Sequence, residues 1–272
     1  MNPGKTLDAQ LTEWLRKRIA QACDVRESFE MARGFGYSDD AIAAGIDAAR
    51  PLGSVLERGV MEPPPLIRRA PPRLTRLGGP ALELYRLDGF LKPKDCQRLI
   101  ALIGHHLNPS TVAHDYGDTQ VRISQTAFLS FTHSPLAAEI DAKICRTLGV
   151  RAEYSEGIQA QRYEVGGHFK PHWDYFSGDA DMHRSACSVR GNRTWTFMVY
   201  LDDAMEGGAT RFTEIDCVIQ PQAGMAVLWN NLNADGSPNA ATRHCGEPVT
   251  RGRKTIITKW FRVRGEGPVF QA

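Results

Sequence analysis

Tyr163-Glu164-Val165-Gly166-Gly167-His168-Phe169-Lys170-Pro171-His172-Trp173-Asp174 is the stretch from which the rest of the chain can be read. His172 and Asp174 stand two residues apart. On a β-strand, side chains two apart share a face. A strand here therefore puts an imidazole and a carboxylate side by side, two-thirds of a metal site. The third ligand is expected from a distant histidine, and His244, in Ala241-Thr242-Arg243-His244, is the best candidate. Two histidines and one carboxylate on one face of an octahedral ion leave three positions open. That arrangement points to non-haem Fe(II) that activates oxygen. A lone His-x-Asp arises often by chance, so its weight comes from its surroundings.

Working outward, strand-like runs follow one another at short, even spacing: residues 158–163, 169–175, 194–201, 209–213, 217–220, 225–229 and 255–263. The turn at 221–224 predicts a hairpin between its two neighbours. Such a series predicts an all-β barrel or double-sheet jelly roll, with a mouth where a small ligand and a metal would sit. Upstream, residues 82–87 alternate like a strand, Lys92-Pro93 opens a helix through Ile103, and 121–131 read as strand. Residues 135–148 form an amphipathic helix with Leu136, Ile140, Ile144 and Leu148 on one side. His105, His106 and His114 have no ligand partner at metal spacing and read as surface residues.

At the N-terminus Leu7, Leu11, Leu15, Ile19 and Cys23 recur at every fourth position, so 7–23 reads as a helix. Asp24 would cap a second helix over 25–33, and Gly34-Phe35-Gly36 breaks it. Ser38 would cap a third over 39–49. The three helices resemble ubiquitin-associated-type bundles. The plainer reading, a small helical domain over 1–50 offering a surface to a protein partner, is the one adopted. Residues 51–80 carry Pro63-Pro64-Pro65, Pro71-Pro72 and several arginines, which predicts an extended linker. No aromatic residues interleave with its arginines, so nucleic acid is not an expected partner. The catalytic part is then 81–272. The chain has 272 residues and a net charge of +2, which argues for no strongly charged partner. No apolar run is long enough to span a membrane, and the first residues lack the apolar core of a signal peptide. Six cysteines are scattered without metal spacing, as expected of reduced thiols in a cytoplasm.

Several further motifs stand in order: Gly191-Asn192-Arg193, Tyr200-Leu201-x-Asp203, Gly207-Gly208-Ala209-Thr210-x-Phe212, Pro221-x-x-Gly224-x-Ala226-Val227-x-Trp229-x-Asn231-Leu232, Thr242-Arg243-His244 and Pro248-Val249-x-x-Gly252-x-Lys254. With the opening stretch, they make residues 82–263 similar to the catalytic domain of the prolyl 4-hydroxylase family of Fe(II)/2-oxoglutarate dioxygenases. The resemblance implies a mainly β fold, a double-stranded β-helix (jelly roll) with packing helices. It implies that His172, Asp174 and His244 hold Fe(II), and that Lys254 meets the distal carboxylate of 2-oxoglutarate. A buried carboxylate needs such a cation. Tyr163 and Thr196 would offer hydroxyls to the same end of the cosubstrate. O2 is the other cosubstrate and ascorbate the expected reductant. The implied reaction decarboxylates 2-oxoglutarate to succinate and CO2 and hydroxylates an unactivated C–H bond.

A carboxylate at 174 argues against the related halogenases, which leave that position to chloride. Lys254 argues against the nucleic-acid demethylases, which use arginines there. A zinc hydrolase would need a general base, and no HExxH-type glutamate is present. Arg193, Trp260 and Phe169 match positions that line the family's peptide groove, and 176–191 correspond to a mobile lid. Phe169 replaces a usual tyrosine and Thr255 a usual tryptophan. A prolyl or similar residue in a protein or peptide is the first substrate expected. A free amino acid, a small metabolite, or a role as iron sensor or scaffold are the alternatives.

Overall fold

The chain is described from a computed structural model, which covers residues 5–6, 8–20, 25–39, 41–42, 45–46, 65–68, 70–110, 121–129, 134–176, 187, 190–203 and 206–265. Among these, no helix is long and apolar enough to cross a membrane.

Two antiparallel sheets dominate. The larger has eight strands in the order β1-β2-β12-β8-β15-β6-β5-β3. These are β1 Leu74–Arg76, β2 Leu84–Leu87, β12 Ala226–Asn230, β8 Arg193–Tyr200, β15 Lys254–Arg262, β6 Gln159–Tyr163, β5 Gln125–Phe128 and β3 Asn108–Pro109. The smaller has five in the order β11-β10-β13-β7-β4. They are β11 Cys217–Ile219, β10 Thr210–Phe212, β13 His244–Gly246, β7 His168–His172 and β4 Arg122–Ile123. A two-stranded ribbon pairs β14, Val249–Arg251, with β9, Glu206–Gly207. The expected mainly β architecture of two facing sheets is thus present.

The central strands of the large sheet show why a jelly roll forms. In β8, Trp195, Phe197 and Val199 join one core cluster, while Met198 and Tyr200 join another. In β12, Ala226 and Leu228 go one way and Val227 and Trp229 the other. Both faces are apolar because both are covered. The first core takes residues from two helices, α4 (Pro93–Gly104) and α5 (Pro135–Leu148). Cys96, Leu99 and Ile103 of α4 are buried there; each large apolar side chain so buried contributes about 1.5–3 kcal/mol. The α5 stripe expected from Leu136, Ile140, Ile144 and Leu148 is buried in the same core. The second core lies between the sheets and includes Phe212 and Ile219 from the smaller one.

Three expectations change. The turn at 221–224 does not close a hairpin: β11 pairs with β10 in the small sheet, whereas β12 lies in the large one. The turn is a crossing between sheets. Gly224 makes it with φ +78, and a Cβ there would fall 2.2 Å from the Leu91 carbonyl. Residues 65–80 are no linker. A short helix, α3 (Pro65–Arg68), puts Leu66 and Ile67 against the main core, and β1 pairs with β2 at the sheet edge. The predicted strand over 121–131 splits into β4 and β5, which go to different sheets.

At the N-terminus, α1 (Ala9–Ala20) and α2 (Val25–Gly34) form with their own small core of Leu11, Leu15, Ala32, Ile42 and Ile46. Asp8 caps α1, its carboxylate accepting from the Leu11 N–H at 2.8 Å. Ser38 Oγ accepts from the Ala41 N–H at 3.2 Å, as a cap of the next helical residues should. Asp24, His114 and the stretch 47–64 lie outside the described residues.

Candidate metal centre and cosubstrate pocket

β13 runs antiparallel to β7, with His244 directly opposite His172. Strand pairing thereby brings together two imidazoles far apart in sequence, their ring centroids 4.3 Å apart. Asp174 arrives differently. β7 ends at His172, and Asp174 sits in a bend beyond it. The face-sharing of alternate strand residues therefore does not place the carboxylate. Hydrogen bonds do: Thr196 Oγ1 donates to Asp174 Oδ2 at 2.8 Å, and Arg193 Nη1 donates to the Asp174 carbonyl at 3.2 Å. Asp174 Oδ1 then lies 3.8 Å from His172 Nε2. One donor atom from each of the three residues falls within 4.8 Å of the others.

The protonation pattern suits a cation. His172 Nδ1 lies 2.8 Å from the Lys170 carbonyl and His244 Nδ1 lies 2.9 Å from the Thr242 carbonyl. A carbonyl only accepts, so each Nδ1 carries a proton, which turns Nε2 of each ring toward the centre as the ligating nitrogen. Burial, and then the neighbouring His244, hold His172 well below the ordinary histidine range, so it is neutral. Burial pushes Asp174 up, but the two imidazoles and Arg193 outweigh it and keep the carboxylate ionised. Two imidazoles and one carboxylate are a donor set that fits Fe(II). The Phe169 ring stacks on His172 at 3.5 Å, with the Arg122 guanidinium 5.0 Å from the Phe169 ring centre.

Lys254 opens β15, opposite Tyr163 at the end of β6. It is 3% exposed and forms no ion pair among the described residues. Its Nζ lies 3.5 Å from Thr210 Oγ1 and over the rings of Tyr163 and Tyr200, at 5.5 and 5.6 Å. Burial drives its pKa down to about 8. Gly246 stands two residues along β13 from His244, on the same strand face. A Cβ there would be 3.7 Å from Lys254 Nζ and 3.8 Å from Phe169 Cβ. Glycine leaves this side of β13, next to Lys254 and Phe169, without a side chain. A buried cation held in no ion pair is suited to receive an anion.

Several predicted residues are employed otherwise. The Thr196 hydroxyl is spent on Asp174 and does not reach toward Lys254. Arg193 makes a two-pronged ion pair with Glu156, at 2.8 and 2.7 Å, and lies 4.0 Å over the Trp260 ring. Its guanidinium is engaged inside the protein, and Trp260 is buried beneath it. Phe169 lies against a histidine of the triad. Of the expected lid, 177–186 and 188–189 lie outside the described residues. Four participants carried no assigned role in the sequence: Glu156, Arg122, Tyr200 and Asn231. Only Tyr200 had a legible signal, sharing a face of β8 with Thr196 by period two.

Residues 158–262 match the family model described as 2OG-Fe(II) oxygenase superfamily. Prolyl 4-hydroxylase subunit alpha-1 of Bos taurus is 36% identical over 188 residues, 68% of this chain and 35% of that one. Prolyl 4-hydroxylase subunit alpha-3 of Mus musculus is 32% identical over 192 residues, 69% of this chain and 34% of that one. The chain thus spans about a third of the length of these curated relatives. Among solved structures, the viral collagen prolyl hydroxylase of Paramecium bursaria Chlorella virus-1, in its 2OG complex, superposes with a TM-score of 0.53. It is 24% identical, with 66% of this chain and 95% of that one covered, a likeness of fold.

Proposed function

We propose that this chain, whose residues 158–262 match the model of the 2OG-Fe(II) oxygenase superfamily, is a 2-oxoglutarate-dependent dioxygenase. Its reaction is the hydroxylation of an unactivated C–H bond, of a prolyl or similar residue in a protein or peptide, with release of succinate and CO2. The named activity of the relatives at 32–36% identity supports the prolyl substrate class. The observation that carries the reading is the pairing of two incomplete features: three metal-type donors converging on one point, and a buried lysine held in no ion pair among the described residues.

His172 and His244 would hold Fe(II) through their Nε2 lone pairs, and Asp174 through its carboxylate. Bound there with 2-oxoglutarate and O2, the iron supplies the oxidising power for C–H cleavage, with ascorbate as its reductant. The protein's part is positional and electrostatic. Lys254, beside Gly246, pairs with the distal carboxylate of 2-oxoglutarate. Tyr163, buried at the end of β6, borders the lysine, with Arg122 and Ser124 beside its phenol. Burial of Lys254, Thr210 and Tyr200 excludes water from that end. The scattered free cysteines support a reducing, cytoplasmic setting.

Replacement of His172, Asp174 or His244 by alanine is expected to abolish conversion of 2-oxoglutarate to succinate while the far-ultraviolet circular dichroism stays unchanged. Incubation of the wild type with proline-containing peptides, Fe(II), ascorbate and 2-oxoglutarate should add one oxygen to the peptide by mass spectrometry. Full turnover in any of the three variants would remove that residue from the centre. Succinate release with no oxygen added to any peptide would move the substrate to free amino acids or small metabolites.

A further inference from the structure

We propose that Thr196, Asn231, Asn239 and Thr242 form one hydrogen-bonded bracket that locks Asp174 and His244 at a set separation, with Thr196 and Asn231 as positioning residues that choose which oxygen of Asp174 faces the metal. The inference rests on the metal centre proposed above.

The first arm is directional. Thr196 Oγ1 has one proton, and Asp174 Oδ2, an acceptor only, takes it at 2.8 Å. The Thr196 oxygen must therefore accept from its other neighbour, Asn231 Nδ2, at 2.8 Å. The amide's orientation is also settled, because the Trp229 indole N–H, a donor only, reaches Asn231 Oδ1 at 3.0 Å. Every proton from Trp229 to Asn231 to Thr196 points toward the carboxylate. Thr196 and Asn231 are 0% exposed and Trp229 1%, so no water competes. Oδ2 is occupied, and Oδ1 is left facing His172.

The second arm leaves from the same residue. The Asn231 carbonyl accepts from the Asn239 N–H at 2.9 Å. The Asn239 carbonyl accepts from Thr242 Oγ1 at 2.7 Å, and the Thr242 carbonyl takes the Nδ1 proton of His244 at 2.9 Å. Asn239 Nδ2 anchors the turn to the Ala81 carbonyl at 2.9 Å. Trp173, which separates His172 from Asp174, donates its indole N–H to the Ala240 carbonyl at 3.1 Å. The segment 231–242 therefore touches the support of both Asp174 and His244 and the residue between the other pair. Fully satisfied buried polar networks of this kind confer rigidity, and groups that orient metal ligands govern affinity.

The test uses the full chain freed of metal and titrated with Co(II), whose visible bands report both affinity and ligand geometry. Thr196→Val, similar in shape but without the hydroxyl, should weaken Co(II) binding by about tenfold to a hundredfold and shift the bands. Thr196→Ser restores the proton and should restore both. Asn231→Asp turns the donor facing Thr196 into an acceptor that competes with Asp174 for its single proton. The bracket predicts weaker Co(II) binding in this variant, although the added negative charge alone would tighten it. Wild-type affinity and bands in a folded Thr196→Val, or tighter binding in Asn231→Asp, overturn the bracket. Should Asn231→Asp fail to fold, the Val and Ser pair at 196 decides. A wild type that shows no Co(II) binding overturns the metal centre itself, and the bracket with it.

Discussion

Lys254 is where a single side chain sets the ligand chemistry. A charge-assisted contact to a carboxylate is worth about 1.5–3 kcal/mol, so Lys254→Ala should raise the KM for 2-oxoglutarate about tenfold to a hundredfold, and Lys254→Arg far less. Burial lowers this lysine to about 8 from an ordinary 10.5, which yields two opposite pH trends. Between those values the unfolded chain binds the proton and the empty folded protein does not. Stability of the ligand-free protein should therefore rise from pH 8 toward 10.5. Affinity for 2-oxoglutarate should fall over the same range, because the neutral amine no longer pairs with a carboxylate. Calorimetric titration against pH checks the second trend, which Lys254→Arg should abolish, since arginine stays charged. The lysine's role was implied by the family resemblance of its motif, Pro248-Val249-x-x-Gly252-x-Lys254. Its lack of an ion-pair partner among the described residues was not, because that depends on which strands surround it.

Between elements, Glu156 is the tie. It precedes β6 and pairs with Arg193 at the start of β8 and with Arg262 at the end of β15, at 2.7 and 3.1 Å. Its main-chain carbonyl also accepts from Lys259, buried beside Asp141. Burial pushes Glu156 up, yet the two guanidiniums more than offset this and hold it below the usual range. Removing one member of a buried charge group leaves the others uncompensated, at a cost of about 3–5 kcal/mol. Glu156→Gln should lower the unfolding free energy by about that amount, seen as a lower midpoint of denaturant unfolding. It should also loosen Asp174, whose carbonyl Arg193 holds, and so weaken metal binding measurably. An unchanged midpoint would show that Arg193 and Arg262 find other partners. No sequence pattern announces this tie, since its members lie 37 and 106 positions apart. The strand series, in contrast, was visible from turns and apolar runs. The exceptions were the strand expected over 121–131, which divides between the sheets, the hairpin expected at 221–224, and β7, whose pattern suggested a strand through Asp174 but whose pairing stops at His172.

For the molecule as a whole, the boundary between appendage and catalytic unit moves toward the N-terminus. The core of Leu11, Leu15, Ala32, Ile42 and Ile46 is separate from the two cores of the sheets. We propose that the first fifty residues are a module of their own, with a surface for a protein partner. Residues 65–80 go with the sheets, through Leu66, Ile67, Leu74 and Leu77. A chain begun at residue 65 should keep 2-oxoglutarate turnover and the unfolding midpoint of the catalytic unit. One begun at residue 81 loses β1, exposes the edge of β2, and should aggregate or melt at lower temperature. Equal melting and solubility for the two truncations would return 65–80 to a linker. Proline and arginine content suggested an extended segment. Whether an extended segment is free or paired is decided by the neighbouring strand, which composition does not reveal.

The sequence by itself determined the candidate ligand types, the strand-and-turn series from 158 onward, and the apolar stripe of the helix over 135–148. These are local properties, carried by residue chemistry and by periods of two and 3.6. Only the tertiary structure decided that Asp174 is positioned by Thr196 instead of by its own strand, that Arg193 is held by Glu156, and that the bracket from Asn231 to Thr242 joins two ligands. Each of these is a hydrogen bond between residues distant in the chain. Its existence depends on register and on the exclusion of water, and both arise only when the sheets close on each other.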